Sequence, residues 1–144
     1  MVTDKPLKPP EPSVVAPANE EAVRAWDTVL YERWKQNRQV FVGALDGITD
    51  DLFELFPPPE GGRCLDVGCG FGETTRQIAA MVGAGGFALG SDSSPRFIED
   101  ARQEAAEAGV QNVAFEVSDA QTARWEPEYD YAFSRMGTQF FAAP

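Results

Sequence analysis

The sequence contains no histidine among its 144 residues. Histidine is the side chain that most often serves as a general base and as a metal ligand near neutral pH. A Ser-His-Asp hydrolase is therefore excluded within this chain, and we predict no metal ligand. The chemistry that remains open depends on positioning rather than on an imidazole.

Cysteine is nearly absent as well, since only Cys64 and Cys69 occur, around a glycine turn. The start MVTDKPLKPPEP lacks a basic region followed by an apolar one, and no apolar run approaches the length that spans a bilayer. This composition is not typical of a disulfide framework. It predicts a reduced, cytoplasmic protein.

Basic residues are scarce, with 12 Lys and Arg against 23 Asp and Glu and a formal net charge of −11. Nucleic-acid binding normally depends on a cluster of basic side chains, and the sequence has none. We therefore predict no nucleic-acid partner and no docking to an anionic membrane. The 43% hydrophobic and 24% charged content is ordinary for one globular core.

The first 59 residues divide into a tail and a helical segment. Residues 1–18 hold five prolines and are predicted to form a disordered tail. Asn19 is a good N-cap, and apolar residues including Trp26 and Trp34 follow it at helical spacing. A second helical pattern ends before Pro57-Pro58-Pro59. We predict two helices over residues 19–59.

Residues 60–144 alternate between short strands and helices, which predicts an α/β unit with a parallel sheet. The strands are expected at Arg63–Val67, Gly86–Ser91, Val113–Val117 and Tyr129–Ser134. One helix is expected at Glu73–Val82, with Ile78, Met81 and Val82 facing inward, and a second between the Ser94-Pro95 cap and Gly109.

The stretch CLDVGCGFGETT, from Cys64 to Thr75, places three glycines at alternate positions after the first strand. Gly68, Gly70 and Gly72 permit positive φ and a close approach of the backbone to a ligand. Dinucleotide enzymes use the spacing GxGxxG, whereas the spacing here is GxGxG. Ligands of open parallel sheets bind at the carboxyl ends of the strands, where this turn lies.

An aspartate lies in or directly after each of the first three strands: Asp66, Asp92 and Asp119. Each has an ordinary alternative, since glycine runs form turns, Asp92 can cap the next helix and Asp119 can be a loop residue. Acids at the ends of three successive strands favour one shared ligand site.

These blocks resemble a known family. LDVGCGFGETT resembles motif I of class I S-adenosylmethionine-dependent methyltransferases, and GSDSSP, SDA and YDYAFSRMGTQFF are similar to its later motifs. The resemblance is to the N-terminal part of the small-molecule branch, like methyltransferase domain types 11 and 25. It implies a Rossmann-like parallel sheet with flanking helices, truncated after the fourth strand and preceded by two helices. Residues 60–144 would then form half of such a domain.

The resemblance also implies S-adenosylmethionine as the cofactor and assigns residues to it. In the family, the counterpart of Asp66 holds the glycine loop and the amino group, that of Asp92 the ribose and that of Asp119 the adenine amino group. The implied cofactor residues are Asp66, Gly68, Cys69, Gly70, Gly72, Thr74, Asp92, Ser93, Asp119, Ala120, Ser134 and Arg135, with Trp26 and Tyr31 as lid candidates. Arg135 as a surface residue, Phe140-Phe141 as core and an aromatic stripe packed on the sheet remain alternatives.

Three functions stay open. The first is methyl transfer to a small molecule; the second is a non-catalytic cofactor-binding or dimerisation module. The third is part of a nicotinamide-dependent oxidoreductase, which the GxGxG spacing and Asp119 disfavour. In the family the sheet continues beyond the fourth strand, so we expect an open edge there that pairs with a second copy or a complementing chain.

Overall fold

The computed structural model describes residues 13–125 and 129–143. Within them a four-stranded sheet runs in the order β3-β2-β1-β4, with every pairing parallel. The strands are β1 (Arg63–Val67), β2 (Phe87–Asp92), β3 (Val113–Val117) and β4 (Tyr131–Phe133). The predicted Rossmann-like α/β sheet is confirmed, and β4 is shorter than expected.

Two helices pack on the sheet, α4 (Glu73–Val82) and α5 (Pro95–Glu107). Ser94 caps α5 as predicted, because its hydroxyl accepts a hydrogen bond from Phe97 N at 3.4 Å. Ile78 and Val82 of α4 are buried, but Met81 is 40% exposed, so its predicted inward position is wrong. Ile78 and Val82 lie four residues apart on one face, and Met81 falls outside that face.

The described residues contain three helices ahead of the sheet instead of the two predicted: α1 (Glu20–Asp27), α2 (Val29–Gln36) and α3 (Arg38–Leu55). The first predicted helix breaks at Thr28, whose φ of −127° and ψ of −97° are not helical. The break lets Asp27 Oδ1 accept hydrogen bonds from Ser94 Oγ at 2.7 Å and Arg96 N at 3.1 Å. α1 is thereby joined to the start of α5.

Part of the predicted tail packs against the sheet. Residues 1–12 lie outside the described residues, whereas Ser13 to Ala16 run to a 3-10 turn at Pro17–Asn19. Ala16 N donates to Asp119 Oδ2 at 2.9 Å, and Asp119 N donates to Ser13 Oγ at 2.7 Å. Residues 13–16 are therefore held at the carboxyl end of β3.

The core of the described residues lies on one face of the sheet, where α4 and α5 pack side by side. Phe53 of α3 and Phe133 of β4 pack with α4 in one core cluster, while Ile98 and Ala101 of α5 pack with Phe115 in a neighbouring one. No helix among the described residues is long and apolar enough to cross a membrane. Both clusters leave the carboxyl ends of the strands free to form a site.

Candidate cofactor site

The glycine turn is tied to the end of β2. Gly68 N and Cys69 N both donate to Ser91 O, at 2.7 and 3.0 Å, and Gly70 N donates to Asp92 Oδ2 at 3.0 Å. Gly68 and Gly70 have φ angles of +72° and +54°, which residues with a Cβ rarely adopt. The turn therefore presents bare backbone at the edge where β1 and β2 end.

The glycines have different neighbours. A Cβ at Gly68 would lie 3.0 Å from Gly137 Cα, so this glycine allows the two loops to approach. A Cβ at Gly72 would lie 2.7 Å from the Phe115 ring and 3.1 Å from Ala101 Cβ. Gly72 thus brings the start of α4 against the core beneath the turn rather than toward open space.

Asp66 is 1% exposed and lies beneath the turn. Its Oδ2 accepts hydrogen bonds from the hydroxyls of Thr74, at 2.6 Å, and Thr75, at 2.7 Å. Burial raises the pKa of Asp66 to about 6, and the two hydroxyls and Arg135 oppose that rise. Its Oδ1 has no hydrogen-bond partner among the described residues. Asp66 therefore anchors the first turn of α4 through Oδ2, while its Oδ1 remains able to accept a further hydrogen bond.

Asp92 joins the glycine turn to α5. Oδ2 accepts from Gly70 N, and Oδ1 accepts from Ser94 N at 3.0 Å. Burial raises the pKa of Asp92, while these backbone N–H groups lower it. Asp92 is therefore a turn residue, as one interpretation predicted, and it also lies on the cavity as the resemblance implied.

Asp119 is 2% exposed at the end of β3. Oδ2 accepts from Ala16 N, and Oδ1 accepts from Gln121 N at 3.0 Å. Both oxygens therefore already hold a backbone amide within the described structure. Asp119 fastens residues 13–16 to the sheet at the same place where the resemblance puts an adenine contact.

One cavity spans the carboxyl ends of β1, β2 and β3. Of the fourteen implied site residues, ten line it: Trp26, Gly68, Cys69, Gly70, Thr74, Asp92, Ser93, Asp119, Ala120 and Arg135. The other four, Tyr31, Asp66, Gly72 and Ser134, contact neighbouring groups within the described structure instead of lining the cavity. Residues distant in sequence are thus gathered around a single space.

Two of those four residues, Ser134 and Tyr31, hold together the elements that surround the cavity. Ser134 Oγ donates to Val67 O at 2.8 Å, which ties the loop after β4 to the end of β1. Tyr31 is buried against the Phe71 and Phe97 rings, and its hydroxyl donates to Asp100 Oδ2 at 2.5 Å. Tyr31 therefore fastens α2 to α5 beneath the cavity.

Arg135 reaches the cavity from the loop after β4. Its side chain is 12% exposed, and Nη1 donates to Thr49 Oγ1 at 2.9 Å and lies 3.8 Å from Asp46 Oδ1. The surface position considered as an alternative is thus wrong. Among the described residues that line the cavity, Arg135 is the one positively charged side chain.

Aromatic rings cover the cavity on the α1 side. Trp26 makes edge contacts with Trp34, at 5.8 Å between centroids, and with Phe140, at 4.8 Å. Phe140 and Phe141 both line the cavity, and Phe140 is 45% exposed, so their assignment to the core is wrong. Trp26 lines the cavity beside Phe140, and its role as a lid contact stays a prediction.

Sequence reasoning missed several lining residues. Asn19 was interpreted as a helix cap, but its side chain makes no capping bond and borders the cavity. Met136, with φ of +66°, and Gly137 belong to the turn that meets Gly68. The glycine of the segment FSRMG, in the loop after β4, is an indication of that turn in the sequence. Asn19 fits a helix-capping pattern, and the sequence gives no other indication that it borders the cavity.

The groups around the cavity fit S-adenosylmethionine better than a metal ion. No group of three or more Cys, Asp or Glu side chains in the described part of the chain is placed to hold a metal. The cavity instead combines bare glycine backbone, carboxylates at the β2 and β3 ends and the aromatic cover. Two buried acceptors beside it, Asp66 Oδ1 and Asn19 Oδ1, lack partners within the described residues. A ligand with amino and hydroxyl donors and a planar base matches these groups.

Comparison with known proteins identifies the family. A family profile described as "Methyltransferase domain" matches residues 59–142. The chain is 42% identical over 71 residues to an aklanonic acid methyltransferase of Streptomyces sp. (strain C5). It is 37% identical over 68 residues to a nocamycin O-methyltransferase of Saccharothrix syringae. The matches cover 49% and 47% of this chain but only 32% and 24% of those relatives.

A solved structure agrees with this assignment. A protein-L-isoaspartate O-methyltransferase is 25% identical, with a TM-score of 0.55, over 60% of this chain and 28% of its own. The sheet order, the glycine turn and the profile match all concern the same residues. The chain therefore belongs to the methyltransferase domain family, whose class I members use S-adenosylmethionine.

Proposed function

We propose that this chain carries the cofactor site of an S-adenosylmethionine-dependent methyltransferase acting on a small molecule. The observation that carries the proposal is the convergence of Gly68, Gly70, Asp92 and Asp119 on one cavity at the carboxyl ends of the strands. When bound, S-adenosylmethionine supplies a methyl group already activated by its sulfonium.

Each group of residues has a distinct role in this proposal. The backbone at Gly68 and Gly70 lies along the methionine part, Asp66 holds the start of α4 beneath that turn, and Asp92 accepts from ribose hydroxyls. Trp26 and Phe140 exclude water from the cavity. Holding an acceptor in line with a methyl group lowers a barrier by roughly 7–11 kcal/mol in the best cases, so the lack of histidine is no obstacle.

The acceptor is proposed to be a small organic molecule. The two relatives are named for aklanonic acid and nocamycin, and the cavity is lined mainly by apolar and aromatic side chains such as Trp26, Trp34 and Phe140. The net charge of −11 does not favour a nucleic-acid acceptor. We propose a cytoplasmic location, consistent with two cysteines that are both free.

We also propose a protein partner at β4. Among the described residues, β4 pairs with β1 on one side and lies at the edge of the sheet on the other. An open strand edge offers unpaired backbone groups to another chain. A second copy of this chain or a complementing chain would cover it.

Calorimetric titration with S-adenosylhomocysteine tests the cofactor site. Wild-type protein should bind, and Asp92→Ala should bind at least tenfold more weakly, because the variant loses both the ribose acceptor and the bond that holds Gly70. Asp51→Ala, an exposed carboxylate on α3, is the matched control and should bind normally. Wild-type affinity in Asp92→Ala would contradict the ribose role.

Methyl transfer is tested separately from binding. The chain is incubated with S-adenosylmethionine and aklanonic acid as the probe acceptor, and release of S-adenosylhomocysteine is measured. The proposal predicts release above that of the acceptor-free reaction. Tight cofactor binding without any release would favour the non-catalytic module.

A further inference from the structure

The side chain of Asn19 is an unusual feature of the cavity wall. It is 4% exposed and borders the cavity, yet its Oδ1 has no hydrogen-bond partner within residues 13–125 and 129–143. Its backbone is helical, with φ of −107° and ψ of −6°, and the side chain does not cap α1. A buried acceptor without a partner is unfavourable, so a role in stabilising the helix does not account for it.

Asn19 lies at the β3 end of the cavity. Asn19 N donates to Ala16 O at 2.8 Å, and Ala16 N donates in turn to Asp119 Oδ2 at 2.9 Å. One 3-10 turn therefore separates Asn19 from the backbone amide that Asp119 holds, and both side chains line the cavity. Each oxygen of Asp119 already accepts a hydrogen bond from a backbone amide. Among the described side chains that line the cavity, Asn19 supplies the buried acceptor that has no partner.

The order of the strands decides which donor reaches Asn19. Asp66 lies in β1, Asp92 ends β2 and Asp119 follows β3, so the three acids are spread across the sheet in the order β1, β2, β3. In the proposed function, the methionine part and the ribose hydroxyls take the first two positions. The donor that remains for the β3 end is the exocyclic amino group of adenine.

We propose that Asn19 Oδ1 accepts a hydrogen bond from that amino group and makes the site selective for adenine. An amino group has two N–H bonds, so Asn19 and Asp119 can hold it together. A hypoxanthine base presents a carbonyl oxygen at the same place, which both acceptors would repel. This inference rests on the proposed function, because it assumes that S-adenosylmethionine occupies the cavity.

The test compares the binding of two ligands by calorimetry, S-adenosylhomocysteine and S-inosylhomocysteine. The second has a carbonyl oxygen in place of the exocyclic amino group of adenine. Wild-type protein should bind the adenosyl compound at least tenfold more tightly. Asn19→Leu, similar in size but without an acceptor, should weaken adenosyl binding by roughly five- to tenfold and leave inosyl binding unchanged or stronger. Asn37→Leu, at an exposed asparagine, is the control and should change neither affinity.

The outcomes separate the inference from the proposed function. A wild-type protein that binds neither ligand overturns both. Equal losses for both ligands in Asn19→Leu, or no loss, overturn the role of Asn19 while leaving the cofactor site intact. Should that variant fail to fold, Asn19→Ala replaces it, and equal affinities of the wild-type protein for the two ligands would contradict the inference without any variant.

Discussion

The three glycines of the motif have different roles, and Gly72 is the one that allows close packing against the core. Its φ is +77°, and a Cβ there would overlap the Phe115 ring. We predict that Gly72→Ala lowers the free energy of unfolding by about 2–4 kcal/mol, from the left-handed backbone and from overpacking together. Urea denaturation measures this loss.

Gly109 provides the matched control for Gly72. Its φ is +68°, but a Cβ there would meet nothing within 4 Å among the described residues. Gly109→Ala should lose only the backbone contribution, about 1–2 kcal/mol. Equal losses in the two variants would contradict the packing role of Gly72.

Asp66 gives the site a dependence on pH. Its pKa is raised to about 6 from 3.8 by burial, so the folded protein binds more protons than the unfolded chain between these values. The stabilisation from protonated Asp66 is therefore present below pH 4 and is lost as pH rises through 6. We predict that Asp66→Asn, which does not titrate, gains about 2 kcal/mol relative to wild type between pH 4 and pH 7.

Thermal and urea unfolding across that pH range measure the difference. Asp92 also has a raised pKa, but it is present in both proteins and its contribution largely cancels. The asparagine oxygen can still accept from Thr74 and Thr75. Parallel stability curves for the two proteins would show that Asp66 does not titrate in this range.

Among the helices, α1, which carries Trp26, is held against the start of α5. Asp27 accepts hydrogen bonds from Ser94 Oγ and Arg96 N, and so contributes to capping α5 from a separate helix. We predict that Asp27→Ala lowers the free energy of unfolding by about 1–2 kcal/mol and alters Trp26 fluorescence. The exposed Asp51→Ala should change stability by less than about 0.5 kcal/mol. A loss no larger than that of the control would contradict the capping role.

The elements that sequence could predict are those with local signals. The bounds of β1, β3 and α4 follow from apolar runs and glycines, and Ser94 with Pro95 marks the start of α5. The break at Thr28 has no such signal, because the apolar spacing continues through it and a tertiary contact of Asp27 accompanies it. Residues 13–16 were missed for a similar reason, since their hydrogen bonds are made with residues about a hundred positions away.

At the scale of the whole molecule, the sheet ends in two edges within the described residues, β3 and β4. If β4 pairs with a second copy, the purified chain should exceed its monomer mass of 15.7 kDa in solution. Ala132→Lys, on an exposed position of β4, should then return it to a monomer. Ala114→Lys, exposed on β3, is the control at the opposite edge. A wild-type monomer by light scattering would contradict pairing between copies.

The sequence predicts the site residues that come directly after strands. It does not predict those that reach the cavity through the packing of separate elements. Asp92, Asp119 and the glycines follow from the rule that ligands meet the carboxyl ends of parallel strands. The cover formed by Asn19, Trp34 and Phe140 comes from three separate parts of the chain. Their placement follows from how α1, α2 and the loop after β4 pack, which no local pattern encodes.

The central claim is that the glycine turn and the acids beside it bind S-adenosylmethionine rather than a dinucleotide. Calorimetric titration of one sample with S-adenosylhomocysteine and with NAD tests it most directly. The account predicts saturable binding of S-adenosylhomocysteine with one site per chain and no binding of NAD at the same concentrations. Binding of NAD, or a folded protein that does not bind S-adenosylhomocysteine, would contradict it.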